Sequence, residues 1–374
     1  MTKKNKILLI SSNQHFIDIF LLDFFRQISK KNEINFISKF ESQNFGKDSI
    51  SRYNIPISRK MSPILDICSI FFIFIRILKI KPNLIITVTP KLALFGIIIK
   101  ILFPKISRVH IYTGFAWTNF SNFKKSFFIF IDKLNILTSN KVLFDSQCQI
   151  DLLNKEKINN NKFHLIGNGS IKGIDSKIFY KYSLNKKNNL KEKYGIPFNH
   201  KIILYLGRMD PDKGVLTLIE SFKNLLSKNN NIFLLLVGRD EMNIKKYLNN
   251  ILQNLSNKVC YISNVSRPED IINVSDIFCL PSKREGFGSV VIEAGACEIP
   301  VIGSDIYGLK SSLKNNFNGL TFKVDDINDL ESKIQKLIDD KSLSKILGAN
   351  GKNFANKNFS KKYVYECLEN LIFD

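Results

Sequence analysis

Cysteine is scarce, six residues in 374, and no two of them form a C-x-x-C pair. That spacing excludes the common zinc sites and the dithiol redox motif. Cys68, Cys260 and Cys279 sit inside apolar runs, where a free cysteine acts as a small core residue. A reducing cytoplasm is the compartment expected. No apolar run reaches the roughly 20 residues of a membrane span. The longest, 64–80, has 17 residues and carries Asp66 and Arg76. The run 92–103 is interrupted by Gly96 and Lys100. A core helix or a helix at a membrane interface fits each of them. The short apolar run after Lys6 is too brief for a signal peptide and reads as a buried first strand. A Walker loop, G-x-x-x-x-G-K-[ST], is also missing.

Acidic residues are few as well. Asp and Glu total 33 against 55 Lys and Arg, a net charge of +22. Residues 1–180 hold 27 bases and 11 acids, residues 181–200 five and one, and residues 201–374 hold 23 and 21. A basic surplus suggests nucleic acid, an anionic membrane or a phosphorylated substrate. A codon bias toward Lys, Asn and Ile is the bland source. Nucleic-acid binding is not expected, because no reading helix or RNA-binding motif is present. At 44% hydrophobic and 24% charged, the composition is globular. It excludes a collagen, a coiled-coil rod and a disordered tail. The length points to two domains.

What is present is a twofold alternation. Strands are expected at 6–11, 34–37, 84–88, 108–112, 141–144 and 163–166, with helices between several of them, the first over 16–29. Residues 183–200 are polar and basic and read as a linker. The second series has strands at 201–206, 232–237, 259–262, 277–280 and 299–302. Helices are expected at 214–227, 242–255, 268–274 and 289–297. Continuous apolar strands alternating with helices indicate parallel sheets buried on both faces. The expected architecture is α/β: two doubly wound, Rossmann-like domains facing an interdomain cleft. The divisions are 1–182, a linker at 183–200, 201–355, and a C-terminal helix at 356–374.

Two loops carry chemistry. The first, residues 207–214, runs Gly207-Arg208-Met209-Asp210-Pro211-Asp212-Lys213-Gly214. It follows a strand and opens a helix, so two cations stand at a helix N-terminus, a good anion site. Arg clamps a phosphate bidentately and Lys serves as a point charge. A polar surface turn is the plain alternative. Asp210 and Asp212 have the D-x-D spacing of a metal–diphosphate site. Pro211 between them and the adjacent cations favour direct phosphate binding, with Asp210 capping the helix start. The second loop, from Pro281, contains Glu285, Gly286, Phe287, Gly288 and Ser289, with Glu293 eight residues after Glu285. Gly286 and Gly288 free backbone amides for an anion or a sugar oxygen. Two carboxylates in one pocket suit a hydroxyl-rich ligand, since each accepts hydrogen bonds from neighbouring hydroxyls.

These loops resemble those of the retaining glycosyltransferases of family 4, which have the GT-B fold. Glu285 and Glu293 match the family's E-x7-E pattern, and Gly207 to Gly214 match its G-R-x(4)-K-G pattern. Asn318-Gly319-Leu320 and Asp325-Asp326 resemble its closing segment, so the likeness covers most of residues 200–355. The stretch from Arg108 through His110 and Thr113 to Trp117 is similar, more loosely, to a loop of members that build bacterial surface polysaccharides, capsule and lipopolysaccharide among them. Asp145-Ser146 and the segment from Gly167 to Asp175 are similar to strand ends of the same domain.

The resemblance implies a metal-independent enzyme that moves a hexosyl or N-acetylhexosaminyl group from a nucleotide sugar, a UDP-sugar by family precedent with a GDP-sugar as the alternative. The implied acceptor is a saccharide on a polyprenyl diphosphate at the inner face of the cell membrane. The protein would be cytoplasmic and peripheral on that anionic surface. Arg208 and Lys213 would neutralise the departing diphosphate. Glu285 would hold donor-sugar hydroxyls, with the amides of Phe287 and Gly288 nearby, and Glu293 would bind the ribose. His110 would lie near the donor sugar. On its residues alone, His110 reads equally as a satisfied core histidine. Asn13 would approach the diphosphate, although Ser11-Ser12-Asn13-Gln14 replaces the paired glycines of many members. Thr113 stands where many members have a second histidine, and Glu298 where a glycine is common. A sugar-nucleotide epimerase or a phosphorylase on the same fold is the alternative enzyme.

Overall fold

A computed structural model describes residues 4–41, 48–58, 62–251 and 256–374. The chain forms two compact units. Unit 1 comprises Met1–Lys172 with Lys362–Asp374, and unit 2 comprises Gly173–Lys361.

Among the described residues, unit 1 holds seven strands: β1 (Lys6–Ile10), β2 (Glu33–Ser38), β3 (Ser51–Asn54), β4 (Leu84–Val88), β5 (Ser107–Tyr112), β6 (Lys141–Phe144) and β7 (Phe163–Leu165). Every pairing is parallel, in the order β3-β2-β1-β4-β5-β6-β7. Parallel strands need covered faces, and β1 shows how the sequence meets that need. Ile7 and Leu9 point into one apolar cluster, Leu8 and Ile10 into another, and all four are fully buried.

Helix Lys361–Phe373 supplies Val364, Tyr365, Leu368 and Ile372 to the first of those clusters. The Tyr365 ring meets Phe24 edge-on at 5.5 Å, and the Lys141 ammonium donates to the Leu371 carbonyl at 3.1 Å.

Right-handed crossovers place the helices Pro63–Ile80, Pro90–Leu102 and Asn122–Thr138 on one side of this sheet. Their inner faces are buried: Ile73, Ile77, Phe95 and Ile99 share a cluster. Their outer faces are apolar too. Ile64, Ile67 and Phe71 are 77%, 69% and 60% exposed, Ile101 69%, and Phe123, Phe127 and Phe130 83%, 51% and 55%. Lys79, Lys81, Lys105, Lys124 and Lys133 are exposed on or beside the same helices. Cys68, expected in the core, is exposed on this outer face; Cys260 is half-buried and Cys279 buried. Among the described residues, no helix is long and apolar enough to cross a membrane.

Unit 2 holds β8 (Lys201–Leu206), β9 (Ile232–Val237), β10 (Val259–Ile262), β11 (Ile277–Leu280), β12 (Val301–Ser304) and β13 (Gly319–Phe322). The order is β10-β9-β8-β11-β12-β13, again all parallel. The boundaries differ from those read in the sequence. Unit 2 begins near residue 173 because Ile174 and Phe179 enter its core. Tyr182 then donates its hydroxyl to Asp270 at 2.9 Å and its amide to Asn273 at 2.8 Å. The stretch 183–200, read as a linker, is part of unit 2. It forms helix Leu184–Lys193, and Leu190, Tyr194 and Ile196 anchor it to that core. The helix expected over 242–255 is Ile244–Ile251; residues 252–255 lie outside the described residues.

Candidate active site

The order of the second sheet reverses between β8 and β11. In open α/β sheets the crevice beyond the C-terminal ends of such a strand pair is where ligands bind. The loops 207–214 and 281–288 leave those two strands. They are tied edge to edge. Gly214 has φ +62°, and a Cβ there would strike the Pro281 carbonyl oxygen, so no other residue fits this contact unstrained. The Lys283 amide donates to the Asp212 carbonyl at 2.8 Å.

That juxtaposition brings Lys213 and Glu285 together. The ammonium lies 2.6 Å from Glu285 Oε1, and both side chains are mostly shielded. Ser282 donates its hydroxyl to the same oxygen at 2.7 Å. Arg208 Nη1 lies 2.7 Å from Asp210 and 3.1 Å from Glu241. Tyr205 donates to the Arg208 carbonyl at 2.5 Å, and burial pushes that phenol far above its ordinary pKa, so it stays protonated. Asp210 caps the turn Pro211–Lys213 by accepting from the Asp212 amide at 3.0 Å. Arg284 reaches Asp212 at 2.7 Å and Lys283 reaches Asp325 at 2.6 Å. Asp210 and Asp212, the D-x-D pair, are thus each engaged by an arginine.

The remaining expected residues of this half are also here. Gly207 ends β8's exit, and Gly286, Phe287 and Gly288 lead into helix Ser289–Ala296. The Phe287 ring is not at the surface; it packs on Phe359 at 5.2 Å. Its carbonyl accepts from Ser312 at 2.6 Å, which pins the loop. Glu293 is buried on that helix, 5% exposed, and so is not a solvated helix residue. The helix closes at Glu298 with φ +60°, the left-handed position that favours glycine. Lys181 and Lys352, each 2.7 Å from the Glu298 carboxylate, hold it there.

Asn13 and His110 belong to unit 1. Asn13 caps helix Gln14–Phe16 by accepting from the His15 amide at 2.9 Å. His110 lies on β5 and is fully buried, its Nδ1 2.8 Å from Thr87 Oγ1. Burial pushes the imidazole well below its ordinary value of 6.5, and the neighbouring Arg108 pushes the same way. Arg108 is itself buried, donating to the Asn135 carbonyl at 2.7 Å and to Ser139 at 2.6 Å.

These surroundings set a sign. Folded His110 stays neutral while unfolded histidine takes a proton below about pH 6.5, so the stability it contributes is present above 6.5 and lost as pH falls. The expected slope is about 1.4 kcal/mol per pH unit. Thermal unfolding of His110→Gln between pH 7 and pH 5 should show a correspondingly flatter loss than the parent chain. Equal slopes would mean that the buried imidazole is protonated after all.

Glu241 escaped sequence reasoning, as did two contacts of residues it had named, Asp325 with Lys283 and Asp212 with Arg284. Glu241 had a usable signal, since it lies in an acidic loop at the C-terminal end of β9, beside β8.

Residues 186–354 match the family model described as glycosyl transferases group 1. The capsular polysaccharide biosynthesis glycosyltransferase CapM of Staphylococcus aureus is 30% identical over 351 residues, 92% of this chain and 90% of that protein. This chain belongs to the group 1 glycosyltransferases, family 4. An Escherichia coli relative, the UDP-Gal:alpha-D-GlcNAc-diphosphoundecaprenol alpha-1,3-galactosyltransferase, is 26% identical over 91% of this chain and 89% of its own. The sucrose-phosphate synthase of Thermosynechococcus elongatus superposes with a TM-score of 0.83 over 98% of both chains, at 19% identity. Anabaena HepE, solved in complex with UDP-glucose, gives 0.79 over 98% of this chain and 99% of that one, at 17% identity. The fold of this glycosyltransferase is GT-B, as the two sheets and these superpositions show.

Proposed function

We propose that this glycosyltransferase moves a sugar, with retention, from a UDP-sugar to a saccharide carried on a polyprenyl diphosphate. The observation that carries the reading is the Lys213–Glu285 pair at 2.6 Å, held across two loops at the switch point of the second sheet. The bond between the anomeric carbon and the diphosphate oxygen breaks, and negative charge accumulates on the leaving phosphate. Lys213 and Arg208 meet that charge. An ammonium has three donors, so Lys213 can keep Glu285 and still bind phosphate. Preorganised cations of this kind supply the largest share of the rate. Glu285 accepts from donor-sugar hydroxyls, the amides of Phe287 and Gly288 face the sugar and phosphate oxygens, and buried Glu293 accepts from the ribose. The acceptor hydroxyl attacks from the face the diphosphate leaves, and a phosphate oxygen takes its proton.

Support for the donor and acceptor comes from relatives: HepE binds UDP-glucose, and the E. coli relative acts on a diphosphoundecaprenol-linked sugar. The outer apolar side chains of unit 1 and the lysines beside them support peripheral binding at an anionic membrane, where such an acceptor resides.

The test supplies the pure chain with UDP-sugars, with and without an undecaprenyl-diphosphate-linked acceptor, and follows products by NMR. The expected result is an α-linked product only when the acceptor is present. An epimerised sugar nucleotide formed without acceptor, or no reaction with any UDP-sugar, would overturn the reading.

A further inference from the structure

The donor loops stand at the C-terminal edge of the second sheet. At its N-terminal edge lies a recess of about 300 Å³. Three strands begin there: Lys201 opens β8, Ser275 and Asp276 precede β11, and Ile299 and Pro300 precede β12. Lys181 and Lys187 wall it from the segment around helix Leu184–Lys193. Lys341 and Lys345 wall it from the first turns of helix Lys341–Phe359. Five ammonium groups therefore border one concave surface.

The two carboxylates present are already occupied. Asp276 Oδ1 lies 3.0 Å from the Lys201 ammonium, and its Oδ2 accepts from the Ile202 amide at 2.9 Å. Glu298 is shared by Lys181 and Lys352, as above. Among the described residues, the amines of Lys187, Lys341 and Lys345 make no hydrogen bond or ion pair. Lys187 is half-buried. Burial pulls its amine below the ordinary lysine value; Asp276 opposes that pull, and Lys181 and Lys191 add to it. The helix Lys341–Phe359 adds its N-terminal partial charge, with Asp340 accepting one of its amides, that of Leu343, at 2.8 Å. With five ammonium groups against two carboxylates, the wall is net positive, and a concave surface with such an excess focuses the potential and raises the local concentration of anions.

We propose that this recess is a second anion site, one that takes a soluble small molecule bearing one or two phosphoryl groups. Its volume is at the lower end for ligand pockets, enough for such a molecule and too little for a polymer. It stands at the opposite edge of the sheet from the donor loops, roughly 13–20 Å away along strands of four to six residues.

Pyrophosphate is the probe. Calorimetric titration of the full chain, with UDP saturating, is expected to show a pyrophosphate site in addition to the nucleotide's. Lys187→Ala/Lys341→Ala/Lys345→Ala is expected to weaken that binding at least tenfold while leaving UDP affinity and melting temperature unchanged. If UDP does not bind, the donor reading fails, and the comparison of the triple variant with the parent, run without nucleotide, still decides this proposal. No pyrophosphate binding, or equal affinity in the triple variant, would overturn it. Vesicles containing phosphatidic acid are not expected to displace the probe; displacement would refute a soluble ligand.

Discussion

Lys213→Ala is expected to lower kcat for sugar transfer by about 10² to 10³-fold, the usual loss when one preorganised charge is removed from a developing anion. UDP binding should weaken as well, since the same ammonium meets product and transition state. Glu285→Ala should lose activity on a similar scale but differ in the other measurement. Its carboxylate lies 2.6 Å from Lys213, so its removal leaves that cation unopposed toward phosphate. UDP affinity is therefore expected to hold or rise in Glu285→Ala while it falls in Lys213→Ala. Steady-state kinetics paired with calorimetry of UDP binding checks both. Full activity in either variant, with the fold intact, would refute the site.

The second large effect concerns unit 1. Ile67→Ser/Phe71→Ser/Phe123→Ser/Phe127→Ser alters four side chains that are at least half exposed, so folding stability should change little. Binding to vesicles rich in phosphatidylglycerol should drop by about 10³-fold, taking roughly 1 kcal/mol for each partly inserted side chain. Residual binding, carried by lysines such as Lys124 and Lys133, should fade between 0.1 and about 1 M salt as screening shortens to a few ångströms. Co-sedimentation measures both effects, and unchanged binding of the quadruple variant would remove the membrane from the account.

Elements with continuous apolar runs were legible. β4 and β6 stand where the sequence placed them, because Leu84, Ile85, Ile86 and Val88 in one and Val142, Leu143 and Phe144 in the other are buried. β3 (Ser51–Asn54) was not legible: it is a polar edge strand whose place comes from its pairing with β2. Helix Leu184–Lys193 hid in a basic stretch because its anchors, Leu190, Tyr194 and Ile196, are only three residues among many polar ones. Within the site, glycine spacing and the strand–loop–helix order marked both loops. Their cross-links were not legible. Arg284 and Asp212 lie 72 residues apart and meet only because β8 and β11 are neighbours in the sheet. The burial of His110 followed the same rule, since it depends on what covers β5 rather than on anything local.

The helix Lys361–Phe373 has a consequence for how the protein is made. Its buried Val364, Tyr365, Leu368 and Ile372 complete a core otherwise built from the first half of the chain. Ribosomes release the chain N-terminus first, at about 5–20 residues per second. The first-born unit must therefore wait, one face open, until residues 361–373 emerge, after the whole of unit 2 has been synthesised. A stop before residue 361 would damage the oldest part of the molecule rather than the newest.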